Sequence, residues 1–506
     1  MAFSKTPELE THQTKRIPII GGQTIASNVI DVSGYQGQRY KNCYPKRLKL
    51  TNTDDKWVLT KTPSIATAQV TFTSSGTDAI TSISDDGKWI WKGRRLYTWS
   101  GGAPSHTAAS GTYVISMHRV IDPVGTDEIY AGILQNGSLF SYTWNNNTST
   151  FTLSAALPFS TYNALALPVP NLSAVLNGRL YVLTNGGRIY NSNPGAYLTF
   201  SSTSFIVPET KGDLCQAIIN YKNNLVAFSS QSTEFFYDGA IELGSPLVRQ
   251  EAYTQLYGIF DRTDLAQLGD NVFFMSWGDR QGFGIYTLDN FNVTKISNSY
   301  IDTLLNNDDM TGGSPSNFDV YMAVMSGDVC GAVGLTISNH LAYNFTQGAW
   351  FEYDCPIATI HPPGGGGITV AQSLVTGSQY RTTFFVLPYG TDIITYSYLS
   401  QDYNPSISIT AEYVEDIQDF GSQRWKHFEQ IYAIGDFGNN TVELAYTPYM
   451  DYTNWSTYQS RTPVQHDMIR YQNLGRYRRL ARRWRFAGTS NIMMEGSEIR
   501  YNLGSQ

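Results

Sequence analysis

Hairpin turns recur along this chain at a nearly fixed spacing. Asp86-Gly87, Asn136-Gly137 and Asn185-Gly186-Gly187 each place glycine where a two-residue turn requires positive φ, and Gly87, Gly137 and Gly187 stand 50 residues apart. A second series marks incoming strands at steps of 46 and 47 residues: Asn177-Gly178-Arg179-Leu180-Tyr181, Asn223-Asn224-Leu225-Val226-Ala227-Phe228 and Asp270-Asn271-Val272-Phe273-Phe274. A period of roughly 40 to 50 residues built from short strands is the footprint of propeller blades. The spacing therefore predicts an all-β chain, and a scaffold of this kind more often presents surfaces than performs chemistry.

Composition agrees. The 506 residues include 34 Tyr, 24 Phe, 10 Trp and 44 Gly with only 15% charged residues, a balance that suits pleated, half-buried strands and tight turns. The formal net charge of −7 argues against a general nucleic-acid coat, which needs a broad basic surface. Cys43, Cys215, Cys330 and Cys355 are scattered, without C-x-x-C spacing or nearby histidines in zinc-ligand order, and read as ordinary thiols. No metal or cofactor is expected. Nor is a membrane-spanning segment, since no run approaches the roughly 18 apolar residues required and the N-terminus lacks a hydrophobic signal core. Synthesis and folding in cytoplasm follow from that reading.

Residues 1 to about 15 are polar, alternately charged and aperiodic, and Ile17-Pro18-Ile19-Ile20-Gly21-Gly22 is too rich in Gly and Pro for a helix. Residues 1–59 are thus expected to form an extended N-terminal arm and docking strap. Residues 60–404 read as hairpin after hairpin, at Glu128–Tyr142, Arg179–Tyr190, Leu225–Tyr237, Val272–Leu288, His340–Tyr353 and Arg381–Tyr398, with a further apolar pair at Val320–Val324 and Val329–Ile337. That makes a β-propeller of six or seven blades, whose closure would hide its edge strands. Pro362-Pro363 and the glycines through Gly367 read as an inter-blade loop. After Pro405 the strands are spaced as in a β-sandwich-like domain, 405–506. Here six arginines fall within ten residues, Arg476 to Arg485. Leu480, Arg482, Trp484 and Phe486 do not alternate cleanly, so arginine must lie on both faces of the strand or one side must meet a partner. A solvated edge, acidic side chains of a neighbouring subunit and nucleic-acid phosphate are the competing readings.

Catalytic constellations are hard to find. There is no G-x-S-x-G elbow, Walker loop or H-E-x-x-H, and the seven histidines are isolated in sequence. Asp85-Asp86, Asp308-Asp309 and Glu415-Asp416 are adjacent pairs; neighbours on a strand point to opposite faces, so all three look like turn or surface acids. The stretch Asp451-Tyr452-Thr453-Asn454-Trp455-Ser456 matches the aspartate box of sialidases only weakly.

One stretch is more specific. Arg16-Ile17-Pro18-Ile19-Ile20-Gly21-Gly22 followed by Gln38-Arg39-Tyr40-Lys41-Asn42-Cys43-Tyr44-Pro45 resembles the N-terminal signature of tail hub proteins of short-tailed (podovirus-type) bacteriophages, also called nozzle or packaged-DNA stabilisation proteins. Gln231-Ser232-Thr233-Glu234-Phe235-Phe236-Tyr237 looks like that family's "ST-E-aromatic" strand. The arginine-rich stretch up to Phe486, with Glu495-Gly496-Ser497-Glu498-Ile499-Arg500, looks like its C-terminal strands. Cys43 and Lys46 depart from the commoner choices.

The resemblance implies a non-enzymatic virion protein of the phage tail, assembled usually as a hexamer below the portal and adaptor. It would form the conduit for genome ejection, help retain packaged DNA and carry fibres, spikes or a needle. A mildly acidic lining suits transient passage of double-stranded DNA, because a basic lumen would hold the duplex through many phosphate contacts. On this reading Arg16, Gln38, Arg39, Asn42, Tyr44 and Pro45 are expected to touch the adaptor or a neighbouring subunit. Arg479, Arg482 and Arg483 are expected at a protein interface away from the channel. The alternative is a propeller lectin, whose aromatic turns would suit sugar stacking.

Overall fold

The computed structural model describes residues 12–19, 39–49, 55–62, 65–70, 80–83, 89–92, 95–98, 106–107, 114–120, 127–134, 138–145, 148, 150–158, 170–241, 244–259, 265–268, 270–278, 282–298, 301–302, 319–325, 328–334, 340–344, 348–352, 382–386, 393–397, 410–415, 417–449, 454–463, 468–488 and 490–503. About three-quarters of them are in strands. Antiparallel four-stranded meanders follow one another over 80–107, 114–158, 170–206, 215–249 and 265–295, and 319–352 forms a sixth as part of a larger sheet. A seventh sheet joins Thr382–Val386 and Ile393–Ser397 to Ile65–Val70 from the other end of the repeats, pairing Tyr396 with Ile65. Closing the last blade with an early strand ties the two ends of the repeat array together. The architecture is an all-β propeller, with seven sheets holding blade strands among the described residues where the sequence predicts six or seven blades.

The expected hairpins explain these blades. Gly187, in the third turn, has φ +76°, which glycine adopts without a Cβ clash. Asp86-Gly87, Asn136-Gly137 and the 362–367 loop lie outside the described residues. Each blade hides one face against the next. Trp89, Trp91 and Leu96 pack on Met117, Tyr130 and Phe140; Ile133 and Leu139 pack on Leu180, Val182 and Tyr190; Val226, Phe228 and Phe235 pack on Val272, Phe274 and Tyr286. The alternation of large apolar side chains thus builds a chain of inter-blade cores.

The remaining strands form a sandwich whose composition the sequence reading did not foresee. One sheet runs Cys43–Lys49, Asp55–Lys61, Met493–Leu503, Lys426–Asp436, Ile469–Tyr477, and His12–Pro18 also pairs with Met493–Leu503. The facing sheet runs Arg39–Lys41, Ala411–Val414, Ala481–Ala487, Thr441–Thr447, Gln459–Arg461. It continues into the sixth blade, because Arg39–Lys41 lies parallel to Ala349–Glu352. The N-terminal segments are extended, as expected. The expectation that they reach out to a neighbour is corrected by their pairing: four of the sandwich's strands come from residues 12–61. The shared core includes Tyr40, Tyr44 and Leu59 from the N-terminal side with Phe428, Tyr471, Trp484 and Ile499 from the C-terminal side.

Gly496 shows why one residue of the C-terminal signature is glycine. Its φ is +149°, and a Cβ there would lie 2.3 Å from the carbonyl oxygen of Ile17. Gly496→Ala is expected to push the His12–Pro18 strand away at a cost of about 1–3 kcal/mol. Hydrogen exchange at the amides of residues 14–19 should accelerate at least tenfold, while exchange in the blades stays unchanged.

Candidate functional site: the blade–sandwich junction and the arginine strand

The signature segment ties blade to sandwich. Arg39 sits at the crossing and donates from Nε to Glu352 Oε1 at 2.8 Å and from Nη2 to Oε2 at 2.5 Å, a two-pronged contact with the last strand of the sixth blade. Asn42 adopts left-handed φ (54°), a conformation asparagine tolerates. There its amide N–H donates to Glu352 O at 2.7 Å, its Nδ2 donates to Thr410 O at 2.9 Å, and its own carbonyl accepts from Thr62 N and Oγ1. Tyr40 stacks on Tyr413 with ring centroids 5.2 Å apart, and Tyr44 stacks on Phe351 at 5.4 Å. Pro45 is buried on an edge strand, where a missing N–H leaves no ladder bond unmade. These contacts join three regions far apart in sequence.

Burial corrects the interface roles expected of Asn42, Tyr44 and Pro45, whereas Arg39, paired with Glu352, keeps part of its side chain exposed. Gln38 lies outside the described residues. Arg16 is exposed and reaches Glu495 at 3.2 Å.

Two buried titratable groups stand beside the junction. Cys43, opposite Lys61 in the strand pair, donates its thiol to Glu412 O at 3.2 Å, and burial pushes its pKa up. Lys61 is 3% exposed and donates to Gly488 O at 2.5 Å; desolvation lowers its ammonium pKa to about 8. A lysine whose folded pKa lies below its unfolded value holds fewer protons folded than unfolded between those two values. Stability should therefore rise with pH from about 8 towards 10. The expected gain between pH 7 and 9.5 is about 2 kcal/mol in urea unfolding, and Lys61→Met should flatten that slope.

The arginine strand resolves differently on its two faces. In Ala481–Ala487, Arg482, Trp484 and Phe486 point inward, and Arg483 and Arg485 outward. Arg482 is completely buried, forms an ion pair with Glu415 and donates from Nη1 to Ser497 Oγ at 2.7 Å. Trp484 Nε1 and Ser497 Oγ donate to Glu415 Oε1 at 2.7 and 3.3 Å. This polar cluster bridges the two sheets, because Ser497 belongs to one and Arg482 to the other. Arg483 pairs with Glu412 at 2.7 Å beneath the rings of Trp455 and Tyr458, and Arg485 reaches Glu443 at 3.2 Å. Arg479 donates from Nε to Pro448 O at 3.3 Å.

Arg482 thus cannot meet a partner protein, and its expected interface role is corrected by its burial. Glu415, expected as a surface acid, is buried as well; Asp416 lies outside the described residues. Nothing adjacent in sequence marks Glu352, Glu412 and Glu415 as arginine partners. The available signal was their place within apolar strands, Ala349–Glu352 and Ala411–Val414 with its next residue, where an acid must find a cation.

The "ST-E-aromatic" strand plays a similar internal part. Glu234 is fully buried, accepts from Thr210 N at 2.8 Å and pairs with Arg249 at 2.7 Å, while Thr233 Oγ1 donates to Tyr257 O at 2.7 Å. Nearer the blade centres, the first strands of neighbouring sheets are stitched together by side chains. His118 Nε2 bonds Ser173 O at 2.9 Å, Asn220 Nδ2 donates to Val175 O at 2.8 Å, and Gln267 Nε2 donates to Asn220 O at 2.7 Å. Among the described residues, no group of three or more His, Cys, Asp or Glu side chains is placed to hold a metal ion, and no helix is long and apolar enough to cross a membrane.

Solved structures that the chain resembles include BamB from Moraxella catarrhalis, with 13% identity and a TM-score of 0.37 over 70% of this chain and 96% of that one. YCF48 bound to D1 peptide gives 12% and 0.38 over 73% and 99%. An exo-β-1,3-galactanase from Phanerochaete chrysosporium gives 10% and 0.26 over 96% and 100%. No curated protein matches the sequence. Residues 35–318, more than half of the chain, match the phage-stabilisation family described as the bacteriophage P22 Gp10 β-propeller, and the chain belongs to that family of phage structural proteins.

Proposed function

We propose that the protein is the tail hub or nozzle subunit of a short-tailed phage. In this reading six copies form a ring below the portal and adaptor, retain the packaged genome, give it a conduit at ejection and carry fibres, spikes or a needle. The family match over residues 35–318 carries the proposal. Two features support it: a mildly acidic chain, which suits passage of phosphate, and a blade–sandwich junction tied by the two-pronged Arg39–Glu352 contact. Of the residues expected at an interface, Arg16, Arg39, Arg479 and Arg483 keep exposed side-chain surface and stay in the proposal. None of the comparisons supports the glycan-binding alternative.

The test is a phage lacking this gene product. Its particles should fill with DNA and then lose it, and supplying the protein in trans should restore DNA retention and place density for it at the tail vertex in electron micrographs. Particles that retain DNA and infect without the protein would overturn the proposal.

A further inference from the structure

Charge is divided unevenly along the chain. Residues 60–404 hold 26 Asp and Glu against 15 Lys and Arg, while residues 1–59 and 405–506 together hold 16 against 20. The blades are therefore acidic and the sandwich is mildly basic. Much of the sandwich's exposed positive charge collects on one face.

That face is the outer side of the sheet containing Met493–Leu503. Strand register aligns Arg470, Tyr432, Glu498 and Arg16 in one row across four strands, and Gln472, Gln430, Arg500 and Thr14 in the next. Arg476 lies opposite His427, and beside them Trp425, 45% exposed, lies under the guanidinium groups of Arg476 and Arg478 at 6.0 and 5.2 Å. Arg500 reaches Glu498 at 3.3 Å and Arg16 reaches Glu495, whereas Arg470, Arg476 and Arg478 meet no carboxylate among the described residues. Exposed guanidinium groups held near an aromatic ring, as Arg476 and Arg478 are at Trp425, offer N–H groups for two-pronged contact with carboxylates.

A surface with more carboxylates than cations lies on the same chain. The turns that end the first and third strands of the third, fourth and fifth blades form one rim, since Asn177 Nδ2 reaches Asp238 Oδ2 at 3.5 Å and Lys222 Nζ donates to Asn290 Oδ1 at 2.6 Å across successive blades. Asp238, Asp270 and Asp289 stand on that rim, the last two exposed and without a cation among the described residues. The rim also carries Arg179 and Lys222, which bond the neutral acceptors Ser192 O and Asn290 Oδ1 and keep their charge, so these three carboxylates stand against two cations there.

We propose that the arginine face of the sandwich docks on the acidic turn rim of the propeller of a second copy of this chain. The contact rests on the hub reading for its setting, a ring of identical copies. A head-to-tail contact between unlike faces repeats from copy to copy and can close into a ring. Opposite charges on the two faces set orientation and exclude face-to-face pairing of like surfaces. Exposed arginines facing a DNA conduit would instead hold phosphate and slow its passage.

The test uses the full-length protein in sedimentation velocity at about 50 and 500 mM NaCl, a range over which exposed charge pairs lose much of their strength. Wild type should associate at low salt and dissociate at high salt. Arg470→Glu with Arg476→Glu should weaken association at least tenfold, as should Asp238→Lys with Asp270→Lys and Asp289→Lys, with hydrogen exchange showing both variants folded. Mixing the two charge-swapped variants should restore association. Wild-type protein that stays monomeric, variants that associate normally, or a mixture that fails to recover would overturn the proposal. So would an arginine variant that assembles normally but loses affinity for a short fluorescent DNA duplex. Incorporation of an association-neutral arginine variant into particles would leave the hub reading standing while this contact fails.

Discussion

Glu415→Ala is expected to destabilise the sandwich by about 3–5 kcal/mol, because it strands the fully buried Arg482 guanidinium without its counter-charge. The readout is hydrogen exchange at residues 481–487 and 493–503 across a urea series, since those strands carry Arg482 and Ser497. Replacing both partners by apolar side chains, Glu415→Leu with Arg482→Met, removes the uncompensated charge and should recover most of the loss. Single and double variants that lose equal stability would show that shape rather than charge pairing governs the site.

The same geometry separates two neighbouring arginines that look alike in sequence. Arg482→Glu would set two carboxylates together in the core and unfold the sandwich, whereas Arg483→Glu opposes Glu412 at a partly exposed position and should cost about 1 kcal/mol. Simultaneous charge reversal at both positions would therefore report folding before it reported assembly. An assembly assay belongs on the outer arginines Arg470 and Arg476, whose side chains leave the core untouched.

Blades were legible in the sequence because their signal is local. A turn glycine such as Gly187 and a short apolar strand such as Arg179–Thr184, buried on both faces, are fixed within a dozen residues, and repetition at 46 to 50 residues shows that the unit recurs. The number of blades was less legible, because the seventh sheet joins Ile65–Val70 to Ile393–Ser397 and no local pattern announces a pairing across more than 300 residues. The junction was concealed for the same reason. Arg39 and Glu352, or Arg482 and Glu415, are read singly as surface charges until their strands are brought together. The signature around Arg39 to Pro45 did mark a constrained segment; its constraint lies in internal packing and a left-handed Asn42, which sequence alone does not distinguish from a docking contact.

Removal of residues 1–45 carries the second large expected effect. As an extended arm, the segment would be dispensable for folding; as built, it supplies His12–Pro18 along one side of Met493–Leu503, Arg39–Lys41 between blade and sandwich, and the start of Cys43–Lys49. Its loss strips the buried Tyr40, Cys43 and Tyr44 from the core and leaves Glu352 without Arg39. Truncating Tyr44 alone to alanine should cost about 3–4 kcal/mol by cavity formation. The full deletion adds lost strand pairing along an edge that would then be open to association. The truncated chain is thus expected to be insoluble, or to retain blades with a molten sandwich that exchanges its 426–436 and 493–503 amides within seconds. A soluble 46–506 fragment with native exchange protection in those strands would show that the N-terminal strands are accessory to the sandwich, and that their place is on a neighbouring subunit.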